Sequence, residues 1–207
     1  MTEYKTDEEK AEELKAWWKE NGKYVIAGVV LAIAILFGRE YWQKSEANTI
    51  SQSSALYYQA QNSSDDTQAA SYALTLKSDY ASTPYAAIVA MDQAKSLAEN
   101  GDYAKAATEL QWVVDNTQDP ELTSIAKLRL ARVLVAQEQL DDAEALITND
   151  DLSTAYSGLV NDIRGDIYAA RAQHDAARQA YEQALETSQG RASELIRLKL
   201  DDLGTGA

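Results

Sequence analysis

Apolar positions are spread very unevenly along this chain. Fifteen residues in succession carry no charge: Tyr24, Val25, Ile26, Ala27, Gly28, Val29, Val30, Leu31, Ala32, Ile33, Ala34, Ile35, Leu36, Phe37 and Gly38, with Lys23 and Arg39 closing the run. At about 1.5 Å of rise per helical residue the run covers roughly 22 Å, short of a hydrocarbon core of about 30 Å. Its flanks make up the difference. Lys23 and Arg39 can snorkel, Trp17 and Trp18 supply an aromatic belt on one side and Tyr41 and Trp42 on the other, so residues 21–42 reach about 33 Å.

The pattern therefore predicts a tail over 1–22, a transmembrane helix over 23–42 and a separate domain over 43–207. Two other readings compete with this one. A buried core helix satisfies the length, but rarely needs aromatic and cationic residues at both ends. A cleaved signal peptide finds a loose small-x-small site at Ser45 and Ala47, but 23 residues, many of them acidic, precede the apolar run, and Arg39, Glu40, Lys44 and Glu46 follow it. Residues 4–23 hold five lysines, Lys5, Lys10, Lys15, Lys19 and Lys23, whereas 39–58 hold only Arg39 and Lys44. That asymmetry predicts a cytoplasmic N-terminus and, in a Gram-negative cell, a periplasmic domain on a single-pass type II anchor in the inner membrane.

In the tail, Tyr4, Ala11, Leu14, Trp17 and Trp18 are apolar within 3–20, which fits either a short amphipathic helix at the interface or a solvated tail. Gly28 and Ala32 form a small-xxx-small pair of the kind that lets helices approach, a pattern common by chance in alanine-rich spans.

Beyond the anchor the pattern switches to helix, short break, helix. Breaks fall at Asn62-Ser-Ser-Asp-Asp, Ser82-Thr-Pro84, Asn100-Gly101, Gln118-Asp-Pro120, Gln137 to Leu140, Asn149 to Ser153, Gln173 and Gly190. The small residues Ala106, Ala143 and Ala177 are separated by 37 and 34 residues, and the same offsets align other columns. Twelve residues ahead of each stand Ala94, Ala131 and Gly165. Three residues after those come Leu97, Leu134 and Tyr168, and four after the alanines come Leu110, Ile147 and Tyr181. Tyr103, Leu140 and His174 open the second helix of each pair. Small positions set against bulky ones predict helical hairpins stacked into a solenoid.

Composition fits that architecture. Two Pro, nine Gly and abundant Ala, Leu, Gln and Glu leave little material for a many-stranded sheet, so an all-α fold is expected. With 33 acidic against 19 basic residues the net charge is −14, which argues against nucleic acid as a partner. No cysteine is present, which excludes thiol nucleophiles and zinc-thiolate sites and leaves the compartment open. His174 is the only histidine. The acidic doublets Asp65-Asp66, Asp141-Asp142, Asp150-Asp151 and Asp201-Asp202 lack the alternation of a calcium loop and read as solvated helix caps. No Walker, dinucleotide or nucleophile-elbow motif occurs. No catalytic residue, metal ligand or cofactor is expected.

The column set over Ala87 to Gln189 resembles the tetratricopeptide repeat, a 34-residue helix-turn-helix, although the usual Trp and repeat-end Pro are largely missing, Pro120 sits two places late and Asp150 replaces an expected Ala. Residues 45–80 would add a further helical pair and Arg191 to Leu203 a capping helix, for eight or nine helices with an extended groove on the concave face. The whole layout, with ENGK around Asn21, GREYW before Gln43, LRLARV at Leu128 to Val133 and RGDIY at Arg164 to Tyr168, resembles the YfgM family of ancillary SecYEG translocon subunits. The resemblance implies association with the SecYEG translocon and with the membrane-anchored prolyl isomerase PpiD, in assistance to newly exported polypeptides. Against this adaptor role stands a cell-envelope scaffold or regulator that never touches translocating chains, and a regulatory use of the tail is compatible with either.

Overall fold

The computed structural model describes residues 6–148, 152 and 154–205. Among these, nine α-helices and one short 3-10 turn appear and no strand, so the all-α expectation is borne out. The helices are α1 (Asp7–Asn62), α2 (Asp66–Asp79), α3 (Pro84–Glu99), α4 (Tyr103–Asn116), α5 (Pro120–Ala136), α6 (Leu140–Thr148), α7 (Ser157–Ala170), α8 (His174–Thr187) and α9 (Arg191–Thr205). The chain divides into two compact units, Met1–Ser51 and Gln52–Ala207.

In the first unit α1 is already helical at Asp7 and runs through the expected bounds of 23 and 42 without a break. The reason is local: no proline lies within it, and the one glycine at the junction, Gly22, is covered by the Trp18 indole, so its backbone is not left to water. Three acidic residues, Asp7, Glu8 and Glu9, occupy the first turn, where they complement the helix dipole. Tyr4 and Lys5 of the tail lie outside the described residues.

In the second unit α2 packs on α3, and the array runs as three hairpins, α3 with α4, α5 with α6, and α7 with α8, closed by α9. The helix starts obey ordinary capping chemistry. Thr83 precedes Pro84 at the first position of α3, and Asp119 precedes Pro120 in α5 while its side chain accepts from the Glu121 and Leu122 amides at 2.8 and 3.2 Å. Asp65 caps α2 in the same way. Asp102 caps α4, and a side-chain hydrogen bond from Lys105 holds its carboxyl below the usual carboxylate range.

The core is a chain of shared clusters rather than one centre. Leu56 and Tyr57 of α1 pack on Leu76 and Val89; Met91, Leu110 and Leu130 join α3, α4 and α5; Leu128, Ile147, Ile163 and Ile167 join α5, α6 and α7; Tyr181, Ala184 and Ile196 join α8 to α9. Each hairpin thus buries its apolar face only against its sequence neighbours, the arrangement of a repeat array.

The three hairpin turns are copies of one another. In each, the residue after the helix cap takes a positive φ: Gly101 (81°), Glu138 (60°) and Ala172 (57°). The next amide then donates back to the helix, from Asp102 to the Leu97 carbonyl at 2.9 Å, from Gln139 to Leu134 at 2.9 Å and from Gln173 to Tyr168 at 2.8 Å. This is the paired-carbonyl closure of a Schellman motif. Only the first copy places glycine where the backbone is left-handed; Glu138 and Ala172 hold the same conformation against the steric cost of a Cβ. Glu138→Gly and Ala172→Gly should each raise stability by about 1 kcal/mol, and Gly101→Ala should lower it comparably, in denaturant unfolding followed by circular dichroism.

Candidate membrane anchor and partner grooves

Among the described residues, α1 is the one helix long and apolar enough to cross a membrane, and almost none of that stretch is buried within the structure. The large side chains of Tyr24 to Phe37 stand outward, Phe37 at 68% exposure, and so do the flanking Trp17, Trp18, Tyr41 and Trp42. Lys23 lies 5.0 Å from the Tyr24 ring centroid, a cation and an aromatic together at one end of the apolar run. Fifteen uncharged residues in an exposed helix have no apolar contact to make in water, so a lipid phase is the environment that their chemistry fits.

The repeat columns converge on the contacts between paired helices. Ala94, Ala106, Ala131, Ala143 and Ala177 are all buried, and so is Gly165. A Cβ built on Gly165 would lie 2.3 Å from a carbon of the Tyr181 ring, so the glycine is a steric requirement of that crossing. Leu110, Ile147 and Tyr181 are buried beside them, while Leu97, Leu134, Leu140 and Tyr168 are half-buried against the same clusters. The column that opens each second helix behaves differently: Tyr103 and His174 are exposed in the first turns of α4 and α8. The break at Asn149 to Ser153 falls largely on residues outside the described ones, as does the doublet Asp150-Asp151.

Charged side chains join elements that the sequence separates by about thirty residues. Asp162 is almost sealed from solvent, yet its two oxygens are met by Arg132 of α5 and Lys199 of α9, each at 2.8 Å. Lys199 also reaches Asp166, which accepts the Tyr181 hydroxyl at 2.7 Å. Arg171, at the end of α7, holds Asp141 at 2.6 Å and Glu144 at 2.7 Å in α6. Asp141 is therefore an ion-pair partner, Asp65 is a cap, and Asp201 and Asp202 lie in the last turns of α9.

Among the described residues, three of the depressions lie between these helices. The widest, about 770 Å³, is a trough with α5 as floor and α4 and α6 as walls. A slot of about 300 Å³ between α3 and α5 sets Lys95, Arg129 and Arg132 around Met91 and Val133. The third, about 390 Å³, runs from Leu159 of α7 to the exposed Leu195 and Leu198 of α9. The lone His174 stands outside all three.

The family model described as a tetratricopeptide repeat-like domain matches residues 15–205. The chain is 33% identical over 199 residues to a protein of Haemophilus influenzae named ancillary SecYEG translocon subunit, covering 95% of this chain and 97% of that one. Proteins of the same name match from Aggregatibacter actinomycetemcomitans, at 32% identity over 95% of this chain and 97% of its own, and from Escherichia coli, at 28% over 98% and 99%. No solved structure matches.

Burial, and then the hydrogen bond to Asp166, raise the Tyr181 phenol above its ordinary value near 10. The sign follows directly. Above pH 10 the unfolded chain loses this proton while the folded chain keeps it, so the native state binds more protons and stability falls as pH rises. Full-strength folding below about pH 10, decline above it, and a shallower alkaline decline in Tyr181→Phe are the expected outcomes in denaturant titrations.

Proposed function

The chain belongs to the family of ancillary SecYEG translocon subunits built on a tetratricopeptide repeat-like domain, and from that membership we propose that it is a membrane-anchored, non-enzymatic accessory of the SecYEG translocon. The observation that carries the reading is α1, whose uncharged run stands exposed in a chain whose other helices bury apolar faces against their neighbours. In this reading α1 crosses a bacterial inner membrane, with the lysine-dotted N-terminus in the cytoplasm and the helical repeats in the periplasm. The repeat domain binds partner proteins, with PpiD and newly exported polypeptides among them, and does no covalent chemistry.

The orientation rests on the five lysines of 4–23 against the two cations of 39–58. Protease added outside spheroplasts should digest the repeat domain and spare an N-terminal epitope. A protected repeat domain overturns the orientation, and a mature N-terminus near Asn48 overturns the anchor.

Partner binding has its own test. Tagged full-length protein, extracted in mild non-ionic detergent, should co-purify with SecYEG subunits and with PpiD. Recovery of neither, at native expression level, would discard the translocon reading in favour of a cell-envelope scaffold.

A further inference from the structure

The trough over α5 has a chemistry of its own. Trp112 of α4, Leu130 and Leu134 of α5 and Leu146 of α6 give it an apolar surface. Asp115 and Asp142 stand at its rims. Along α4 the lining runs from Ala107 to Asp115, about 12 Å or two helical turns. That is a length to seat a helix, and a trough this open does not enclose a small molecule.

The surrounding charge selects the occupant. The charged side chains that line the trough, Asp115 and Asp142, are both acidic, and α6 has no basic residue at all. An acidic partner would be repelled, while a cationic one would be drawn in by the local field and by the net charge of −14. Trp112 is only partly buried and belongs to the residue type that most often anchors such contacts.

We propose that the α4–α5–α6 trough is a docking site for an amphipathic helix of a partner protein, one with an apolar stripe flanked by Lys or Arg. The inference rests on the reading that the repeat domain works by binding proteins, and adds the place and the chemistry. Trp112, Leu130, Leu134 and Leu146 receive the stripe; Asp115 and Asp142 receive the cations.

The test uses full-length protein in non-ionic detergent, with protein-free micelles as the blank, and two fluorescein-labelled synthetic helices that share an i, i+3, i+4, i+7 leucine stripe but differ in Lys or Glu flanks. The Lys-flanked peptide should bind at least tenfold more tightly, and less so as salt rises. Ala145→Trp, at an exposed position in the trough, should weaken that binding at least tenfold with an unchanged thermal midpoint, and Arg129→Glu, in the separate α3–α5 slot, should leave it as it was. Equal affinity for the two peptides, no binding of the Lys-flanked one, or indifference to Ala145→Trp overturns the proposal. If any of these occurs while SecYEG still co-purifies, the trough is discarded and the translocon reading stands; loss of co-purification in the parent protein strikes that reading instead.

Discussion

Close approach of paired helices, which only alanine or glycine permits at the crossing, is the constraint on which the repeat domain depends. At α7 and α8 it is most severe. Any side chain at position 165 meets the Tyr181 ring, and that ring is both buried and tied through its hydroxyl to Asp166. The glycine lets the helices come near enough for the tyrosine to fill the space between hairpins, and the tyrosine makes the glycine necessary. The same small-against-bulky exchange recurs with Ala94 and Leu110 and with Ala131 and Ile147, so spacing between helices is reset in every hairpin.

Polar contacts then link hairpins that apolar packing joins only pairwise. Asp162 is the centre of this second layer of order, because a carboxylate so deeply placed needs its countercharges. Arg132 and Lys199 supply them from the preceding hairpin and from the closing helix, so α5, α7 and α9 are fixed around one side chain. Both cations keep contact with solvent, which limits the desolvation cost of the arrangement while the acid remains paired. Lys77 with Glu109, and Arg171 with Asp141 and Glu144, make comparable ties elsewhere along the array. A repeat protein without one central core gains cohesion from contacts of this kind.

How much of this was legible in the sequence depends on whether the signal was local. The breaks at Ser82-Thr-Pro84 and Gln118-Asp-Pro120 could be read because Thr83 and Asp119 with their following prolines are helix starts in any context. The alternation of small and bulky columns could be read because it repeats. The left-handed turns at Glu138 and Ala172 carry no such sign, since neither residue favours that conformation; their identity with the Gly101 turn is visible only in the backbone. The Asp162 cluster was invisible for another reason: its partners lie 30 and 37 residues away, and many acidic residues compete for the same cations in a chain of this composition. Tyr103 shows the opposite failure, an aromatic at a repeat column that the turn leaves exposed. The apolar run marks a stretch inside α1 but not the ends of that helix, because hydrophobicity says nothing of where helical residues stop.

Anchoring also changes what the repeat domain must achieve energetically. A soluble adaptor at low cellular concentration needs high affinity to remain on its partner, whereas a domain tethered in the same membrane meets that partner at an effective concentration set by the tether. Shallow depressions of the sort found between these helices, lined by a few apolar side chains and edged by charge, are then sufficient for repeated engagement without permanent occupancy. The acidic surface works in the same direction, since long-range attraction raises encounter rates with cationic segments more than it prolongs their stay. An exposed apolar helix, open grooves and a strong single sign of charge would be liabilities in a free soluble protein. Held in a membrane, as proposed, they suit brief and repeated contact with partner proteins.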